Sequence, residues 1–297
     1  MLALIFALAN SIDPIGRLSV KNNKIVDELA QPAMLRGVGL SWHNWWSDFY
    51  TAEVVNWIKS TFHGTVTRAA IGCEQENGLF SNPDLAYNSL YAVVDASIAA
   101  GIKVIVDFQT FQIHTSEAKD FFTKVATKYK GRSNVIYEIF NEPESASWSQ
   151  IKQYSIELIN TIRAIDSSAF ILVPTPNWDQ YIEQAAADPI DAQNIAYTLH
   201  IYVATHPMSY LDNAKASLSK IPIFGSEIGA MSASGDGDLD VSKFNTWINF
   251  YEESKISYLA WGVQSKAESC SIVGTSGKLT DLTEWGKLFR DTITKYQ

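Results

Sequence analysis

From about residue 35 onward, eight short apolar runs alternate with amphipathic stretches, and that alternation leaves the chain few folds to choose from. The runs are Leu35–Leu40, Val66–Ile71, Lys103–Phe108, Val135–Phe140, Phe170–Val173, Ile195–Ile201, Ile221–Phe224 and Ile256–Trp261. Most are nearly continuous in apolar character, as expected of parallel strands covered on both faces. Between them, Ala52–Thr61, Tyr87–Ala100, Glu117–Tyr129, Ser149–Ile165, Leu211–Ser219 and Lys243–Ser254 carry helical periodicity. Asn82-Pro83-Asp84 and Ser147-Trp148-Ser149 supply helix entry signals, each with a capping side chain ahead of the apolar period. Eight strand–helix units predict an α/β fold, a (β/α)8 TIM barrel in a single domain. An open doubly wound sheet is the alternative, but no glycine-rich phosphate loop follows the first strand. Leu18–Val20 and Lys24–Val26 read as a short hairpin closing the barrel bottom.

A chain of 297 residues, 46% apolar, is long enough for one such core and short for two. The net charge of −9 is spread along the chain, which argues against a nucleic-acid partner and fits a neutral substrate. No run of 18 apolar residues occurs, so no membrane span is expected. A monomer is expected. Nine tryptophans are many for this length. They can fill a large aromatic core, or line a cleft where flat indole faces meet the apolar faces of sugar rings.

The segment Met1–Ala9 ends in a small-x-small pattern at Ala7 and Ala9, although it lacks a basic start. Residues 1–14 are therefore read as a signal-peptide remnant or an N-terminal extension, with 15–297 as the barrel domain and a secreted, extracellular location. Cys73 and Cys270 follow the second and last strands, where one disulfide or two unpaired thiols are both open.

Chemistry in a barrel of this kind belongs to the C-terminal ends of its strands. Two runs end in a carboxylate: Ile136 to Pro143 closes on Asn141-Glu142-Pro143, and Ile221 to Glu227 closes on Ser226-Glu227. Pro143 cannot donate to a ladder, so the strand is expected to stop there. Arg68, His200, Tyr202 and Trp261 fall at the same end of other strands. Any one of them alone is an ordinary rim residue or ion pair; together they converge. Retaining glycoside hydrolysis needs one carboxylate nucleophile and one carboxylic acid about 5–5.5 Å apart. Arg68 beside Glu227 would keep it ionised, while Glu142 in an apolar setting would be the acid. Asn141 would hold a sugar 2-hydroxyl. There is no His-x-x-x-His and no carboxylate cluster for a metal, so no metal or cofactor is expected. Gly235 to Asp240 looks like a calcium loop but lacks its spacing and closing glutamate, and reads as a solvated turn.

Taken together these segments resemble clan-A glycoside hydrolase family 5, in particular its bacterial-type endoglucanase branch. The resemblance is carried by Leu35 to Gly39, Thr67 to Ala70, Val104 to Asp107, Val135 to Pro143, Tyr197 to Tyr202 and Ala204-Thr205-His206. Ser226-Glu227, Ser234 to Gly237 and Lys266 to Ser269 continue it in family order. It implies cofactor-free retaining cleavage of β-1,4-glycosidic bonds, with Glu142 as acid/base and Glu227 as nucleophile. Arg68, Asn141, His200, Tyr202 and Trp261 would be their neighbours. Trp45, Trp178, Lys266 and Glu268 would bind sugar on either side of the scissile bond. Three positions depart from the family: Gln109 and Ser41 stand where histidines are usual, with His43 nearby as a substitute, and Ile228 replaces a tryptophan. Gln109 can hold a sugar hydroxyl but carries no charge. A β-linked polysaccharide or oligosaccharide is the implied partner. Endo-acting β-1,4-glucanase activity is the first reading; mannanase, xyloglucanase or mixed-linkage glucanase activity and a non-catalytic carbohydrate-binding barrel are the others.

Overall fold

The computed structural model describes residues 13–296. The leader-like Met1–Ala9 lies outside the described residues. Strands β1 (Ser19–Lys21) and β2 (Lys24–Val26) pair antiparallel. Then come β3 (Arg36–Leu40), β4 (Val66–Gly72), β5 (Lys103–Gln109) and β6 (Val135–Glu138). They are followed by β7 (Phe170–Val173), β8 (Ile195–Tyr202), β9 (Ile223–Gly229) and β10 (Tyr258–Val263). Strands β3 to β10 form a closed, parallel eight-stranded barrel in chain order, with β10 returning to β3. Every one of the eight expected strands is present, with ends displaced by a few residues.

The entry signals operate as expected. Asn82 Oδ1 accepts from Leu85 N at 3.3 Å ahead of the Pro83–Ala100 helix. Ser147 and Gln150 cap one another at the start of the Trp148–Arg163 helix. One further helix, Glu284–Thr294, closes the chain against β10 through Trp285, whose Nε1 donates to Trp261 O at 2.6 Å.

Two cores follow from strand pleating. Residues pointing outward pack under the helices, and a smaller inner cluster fills the barrel's lower half: Val66, Ile105, Ile136, Phe170, Leu172, Ala196, Phe224 and Leu259. Leu18, Ile25 and Ala33 of the hairpin segment plug this cluster from below. Buried Lys103 ties the same end together, its Nζ 2.6 Å from Asp13 Oδ2 and 2.9 Å from Ser133 O. Side chains alternate along a strand, so two residues above this inner layer the same face holds Arg68, Asp107 and Glu138. The barrel is apolar at its base and charged toward its C-terminal mouth.

Two irregularities aim the site. Strand β6 ends at Glu138, earlier than Pro143 alone requires. The N–H that reaches Phe108 O at 3.1 Å is that of Asn141, one residue later than the pairing of Glu138 with Asp107 would continue. In β9, Thr198 pairs with Phe224 but His200 pairs with Glu227, so β9 carries an extra residue. This bulge turns the consecutive Ser226 and Glu227 both toward the barrel interior. Among the described residues no helix is long and apolar enough to cross a membrane.

Candidate active site

Arg68 is the hub of the barrel mouth. Its Nε donates to Glu138 Oε2 at 2.5 Å, Nη2 to Asn141 Oδ1 at 2.7 Å, and Nη1 to Glu227 Oε2 at 3.3 Å. Asp107 Oδ2 lies 3.2 Å from Nη2, and the indole of Trp261 lies 5.8 Å from the guanidinium carbon. Burial alone would weaken this cation; the charges of Asp107, Glu138 and Glu227 more than restore it, so Arg68 stays charged. In turn, burial would raise Glu138, but the charges of Arg68 and His200 hold its carboxyl at about 2.

Glu227 also accepts a hydrogen bond from the Tyr202 hydroxyl. Burial and the charge of Glu142 push the Glu227 carboxyl up, against the pull of His200, Arg68 and Tyr202. Arg68 pulls Glu227 toward its anion as expected, but the dry barrel mouth opposes that pull and the net direction is upward. On the other side, Glu142 Oε1 lies 2.8 Å from His200 Nδ1. A carboxylate oxygen of Glu142, one of Glu227 and a ring nitrogen of His200 lie within 4.8 Å of one another. Glu138, Asp179 and His200 form a second such group. Both nitrogens of His200 are occupied, Nε2 by Ser226 Oγ at 2.8 Å, and Arg68 already supplies positive charge here. These groups therefore read as a carboxylate–imidazole network rather than as a metal cage.

Above the glutamates opens a cleft of about 720 Å³. Trp42, Trp45, Trp46, Phe111, Trp178 and Trp261 supply its aromatic wall. Trp45 and Trp178 are 56% and 37% exposed, a poor use of indole unless something lies across it. Trp178 reaches the rim on three successive non-glycine residues of positive φ: Asn177 at 56°, Trp178 at 53° and Asp179 at 58°. Each such residue costs on the order of 1 kcal/mol. The turn is held by Thr175 N–H donating to Asp179 Oδ1 and by Trp178 N–H donating to Pro143 O at 3.0 Å. Lys266 and Glu268 pair with each other and also line the cleft, as does Gln109, whose Oε1 is buried with no partner among the described residues.

His43 is placed elsewhere. It is fully buried and is not among the cleft-lining residues; its Nδ1 accepts from Gly72 N at 3.1 Å, and burial lowers its pKa to about 4. The residue that meets the cleft at this strand end is Ser41, whose Oγ donates to Gln264 Oε1 at 2.6 Å. His43 opens a helical turn, and on that turn the exposed position falls to Trp45. Cys73 and Cys270 are both buried and unpaired; Cys270 instead accepts from Gln264 Nε2 at 3.3 Å. The Gly235–Asp240 segment is a tied-down turn. Asp236 Oδ1 accepts from Ser269 N and Oγ at 3.1 and 3.0 Å, and Gly235 at φ +85° brings its backbone against Cys270.

Glu138, Ser226, Trp42, Trp46 and His206 were given no site role from the sequence. For Glu138 the signal was available: an acid two residues after Ile136 in a buried strand must share its face. Ser226 gave none, because its inward aim depends on the bulge.

The chain matches the family profile described as Cellulase (glycosyl hydrolase family 5) over residues 26–267. It is 37% identical to Endoglucanase Z of Dickeya dadantii, covering 96% of this chain and 67% of that protein. Endoglucanase N of Pectobacterium atrosepticum is 32% identical with the same coverages, so the chain spans about two-thirds of these relatives. Among solved structures, one from Cytophaga hutchinsonii superposes with a TM-score of 0.92 at 37% identity, covering 95% of each chain. The catalytic domain of a Thermobifida fusca endoglucanase gives 0.89 at 27% identity, over 94% of this chain and 98% of that one. A Glu-to-Gln variant of that domain is also known in complex with cellotetraose. A profile match that runs through most of the barrel and takes in both glutamates leaves one assignment: the chain belongs to glycoside hydrolase family 5, the cellulase family.

Proposed function

We propose that the protein is an endo-acting retaining β-1,4-glucanase, with Glu142 and Glu227 as its two catalytic carboxylates. The observation that carries this is their spacing: oxygens of the two side chains within 4.8 Å, on the floor of an open aromatic cleft. That leaves room for one anomeric carbon between them and too little for the intervening water of an inverting enzyme. Glu142 protonates the glycosidic oxygen while Glu227 attacks the anomeric carbon, forming a glycosyl–enzyme ester and releasing the leaving sugar as an alcohol. Water then attacks the ester, giving its proton to Glu142. Glu227 is the nucleophile because Arg68 and Tyr202 both donate to it and favour its anion. Asn141, held by Arg68 through its oxygen, has its buried Nδ2 free to donate to a sugar hydroxyl near the reacting carbon. Trp45, Trp178 and Trp261 offer stacking faces, and Lys266, Glu268 and Gln109 hydrogen-bonding groups, for the sugars on either side. An open cleft rather than a closed pocket suits attack within a polymer, and a polymeric substrate suits an enzyme acting outside the cell as a monomer. Domain boundaries at 15–297 are part of the same proposal.

Gln109 in place of the family histidine favours keeping mannan, xyloglucan and mixed-linkage glucan in the test. Reducing ends should appear fastest from carboxymethyl cellulose, with an early fall in viscosity, and Glu227→Gln should abolish their release. Faster release from galactomannan would reassign the substrate; activity surviving Glu227→Gln would overturn the site.

A further inference from the structure

His200 stands between Glu142 and a second pair of residues that never reach the cleft. Its Nδ1 is 2.8 Å from Glu142 Oε1, and its Nε2 is 2.8 Å from Ser226 Oγ. Ser226 Oγ donates in turn to Glu138 Oε1 at 2.6 Å, while Glu138 Oε2 accepts from Arg68 Nε at 2.5 Å. The direction of this chain is dictated from its far end. Arg68 has only donors, so Glu138 is an acceptor on that side. Glu138, fully buried against the guanidinium, is an anion and accepts on its other oxygen too. The single hydroxyl proton of Ser226 is therefore spent on Glu138, and toward His200 the Ser226 oxygen has only lone pairs. His200 must carry a proton on Nε2.

We infer that Ser226 and Glu138 are positioning residues that fix the Nε2–H form of His200, so that Nδ1 and Glu142 share one proton. The inference rests on Glu142 being the acid. With Nε2–H fixed, the pair has two forms: a neutral imidazole facing protonated Glu142, or an imidazolium facing the Glu142 carboxylate. They differ by one proton moved along a single hydrogen bond. In the first half-reaction that proton goes to the leaving oxygen. What remains is an imidazole lone pair facing a carboxylate, a repulsive arrangement that makes Glu142 a stronger base. In the second half-reaction the attacking water returns one proton to the pair, and the cycle balances.

The surroundings of His200 do not supply a substitute lock. Asp179 Oδ2 is 3.6 Å and Glu138 Oε1 3.7 Å from Nε2, both beyond hydrogen-bond reach. Burial pushes the Asp179 carboxyl well above the ordinary range, against the pull of His200 and of the Thr175 N–H. Burial also opposes charge on His200, but Glu227 and Asp179, with Glu138 and Glu142, outweigh it and favour the proton-rich form. Asp107 and His206 act on this group only through longer-range charge: burial raises Asp107 and lowers His206 to about 4.

Ser226→Ala frees His200 to take the Nδ1–H form, in which a neutral ring donates to a Glu142 carboxylate and no proton is ready for the leaving group. The loss should therefore depend on how much acid help the substrate needs. On cellotetraose, kcat/KM should fall roughly 10- to 100-fold and the alkaline limb of its pH profile should move down; on dinitrophenyl cellobioside, whose leaving group needs no proton, the fall should be under about threefold. Ser226→Thr, which keeps the hydroxyl, should behave as wild type. Equal losses on both substrates with an unmoved alkaline limb would overturn the proposal. Should Ser226→Ala not fold, ¹⁵N-histidine NMR of the wild type, with His200→Gln to assign the signal, decides directly: a proton on Nε2 supports the lock, and its absence overturns it. A wild type that hydrolyses neither substrate would instead defeat the hydrolase reading, whatever the tautomer.

Discussion

The Arg68 guanidinium meets Glu138 Oε2 at 2.5 Å with both side chains fully shielded from solvent. Such a pair is not a free source of stability, because desolvating two charges offsets most of their attraction. Breaking it is another matter, since the survivor is left charged and unpartnered. Arg68→Met should cost about 3–5 kcal/mol, or roughly 5–15 °C in melting temperature. Arg68→Lys keeps the charge but not the fork that reaches Glu138, Asn141 and Glu227 together. It should recover part of the stability and little of the turnover. Thermal melts beside kcat for the two variants check this.

The roles of the two glutamates separate through an external nucleophile. If Glu227 is the nucleophile, azide in Glu142→Ala should attack the glycosyl–enzyme ester on Glu227 and yield the β-azide. In Glu227→Ala, azide should then take the place of the missing carboxylate and yield the α-azide. Each variant alone should lose at least about 10²–10⁴-fold on cellooligosaccharides. NMR of the azide products formed from dinitrophenyl cellobioside tests the assignment; the opposite pairing of variant and anomer would exchange the two roles.

Strand count, order and most helix limits could be read from the sequence, because a buried parallel strand is a continuous apolar run and a capped helix announces its start. The positions of the candidate residues were legible where a polar side chain sits at a strand end, as for Arg68, Glu142, His200, Tyr202 and Glu227. It was not legible where aim depends on local irregularity. Ser226 and Glu227 both face inward because β9 carries an extra residue opposite Thr198–His200, and no composition rule reveals that. His43 was misplaced for a related reason. Proximity in sequence to Ser41 suggested a substitute cleft histidine, but the turn beginning at His43 sends its ring under Gly72 and leaves Trp45 outside.

Trp45 exposes 56% of its surface on the cleft wall and stacks only partly on Trp42, with ring centroids 5.2 Å apart. Trp45→Ala should leave the melting temperature unchanged within a degree or two. Loss of one stacking face, on the order of 1 kcal/mol, should lower kcat/KM about fivefold on chains long enough to reach it. Shorter cellooligosaccharides that do not reach Trp45 should be unaffected, which a chain-length series reads directly.

His43 and His206 are each lowered to about 4, burial being the largest cause. Unfolded, both would titrate near 6.5. The unfolded chain therefore binds more protons between those values, so stability falls as pH drops from about 6.5 to about 4 and levels below. His43→Gln, which can still accept from Gly72 N–H, should flatten part of that slope. Because His43 does not line the cleft, KM should hold steady. Melting curves at pH 7 and pH 4.5 for both proteins test the first point, and Michaelis plots at pH 7 the second.

Gln109 is 2% exposed, lies on the cleft floor, and keeps its Oε1 without a partner. An acceptor that no protein donor reaches is available to a donor brought into the cleft. No described residue provides one, and a sugar hydroxyl is the donor that a family 5 cleft would bring. Gln109→Leu removes the acceptor at similar volume and should raise the melting temperature slightly while lowering kcat/KM about 10-fold. Gln109→His restores the usual family residue with a ring nitrogen that can donate, accept or carry charge. If Gln109 helps set substrate preference, the Gln109→His variant should change the ratio of kcat/KM on glucan to that on mannan, with the melting temperature moving little. A ratio identical to wild type in both variants would mean that the amide touches no sugar and merely fills the floor.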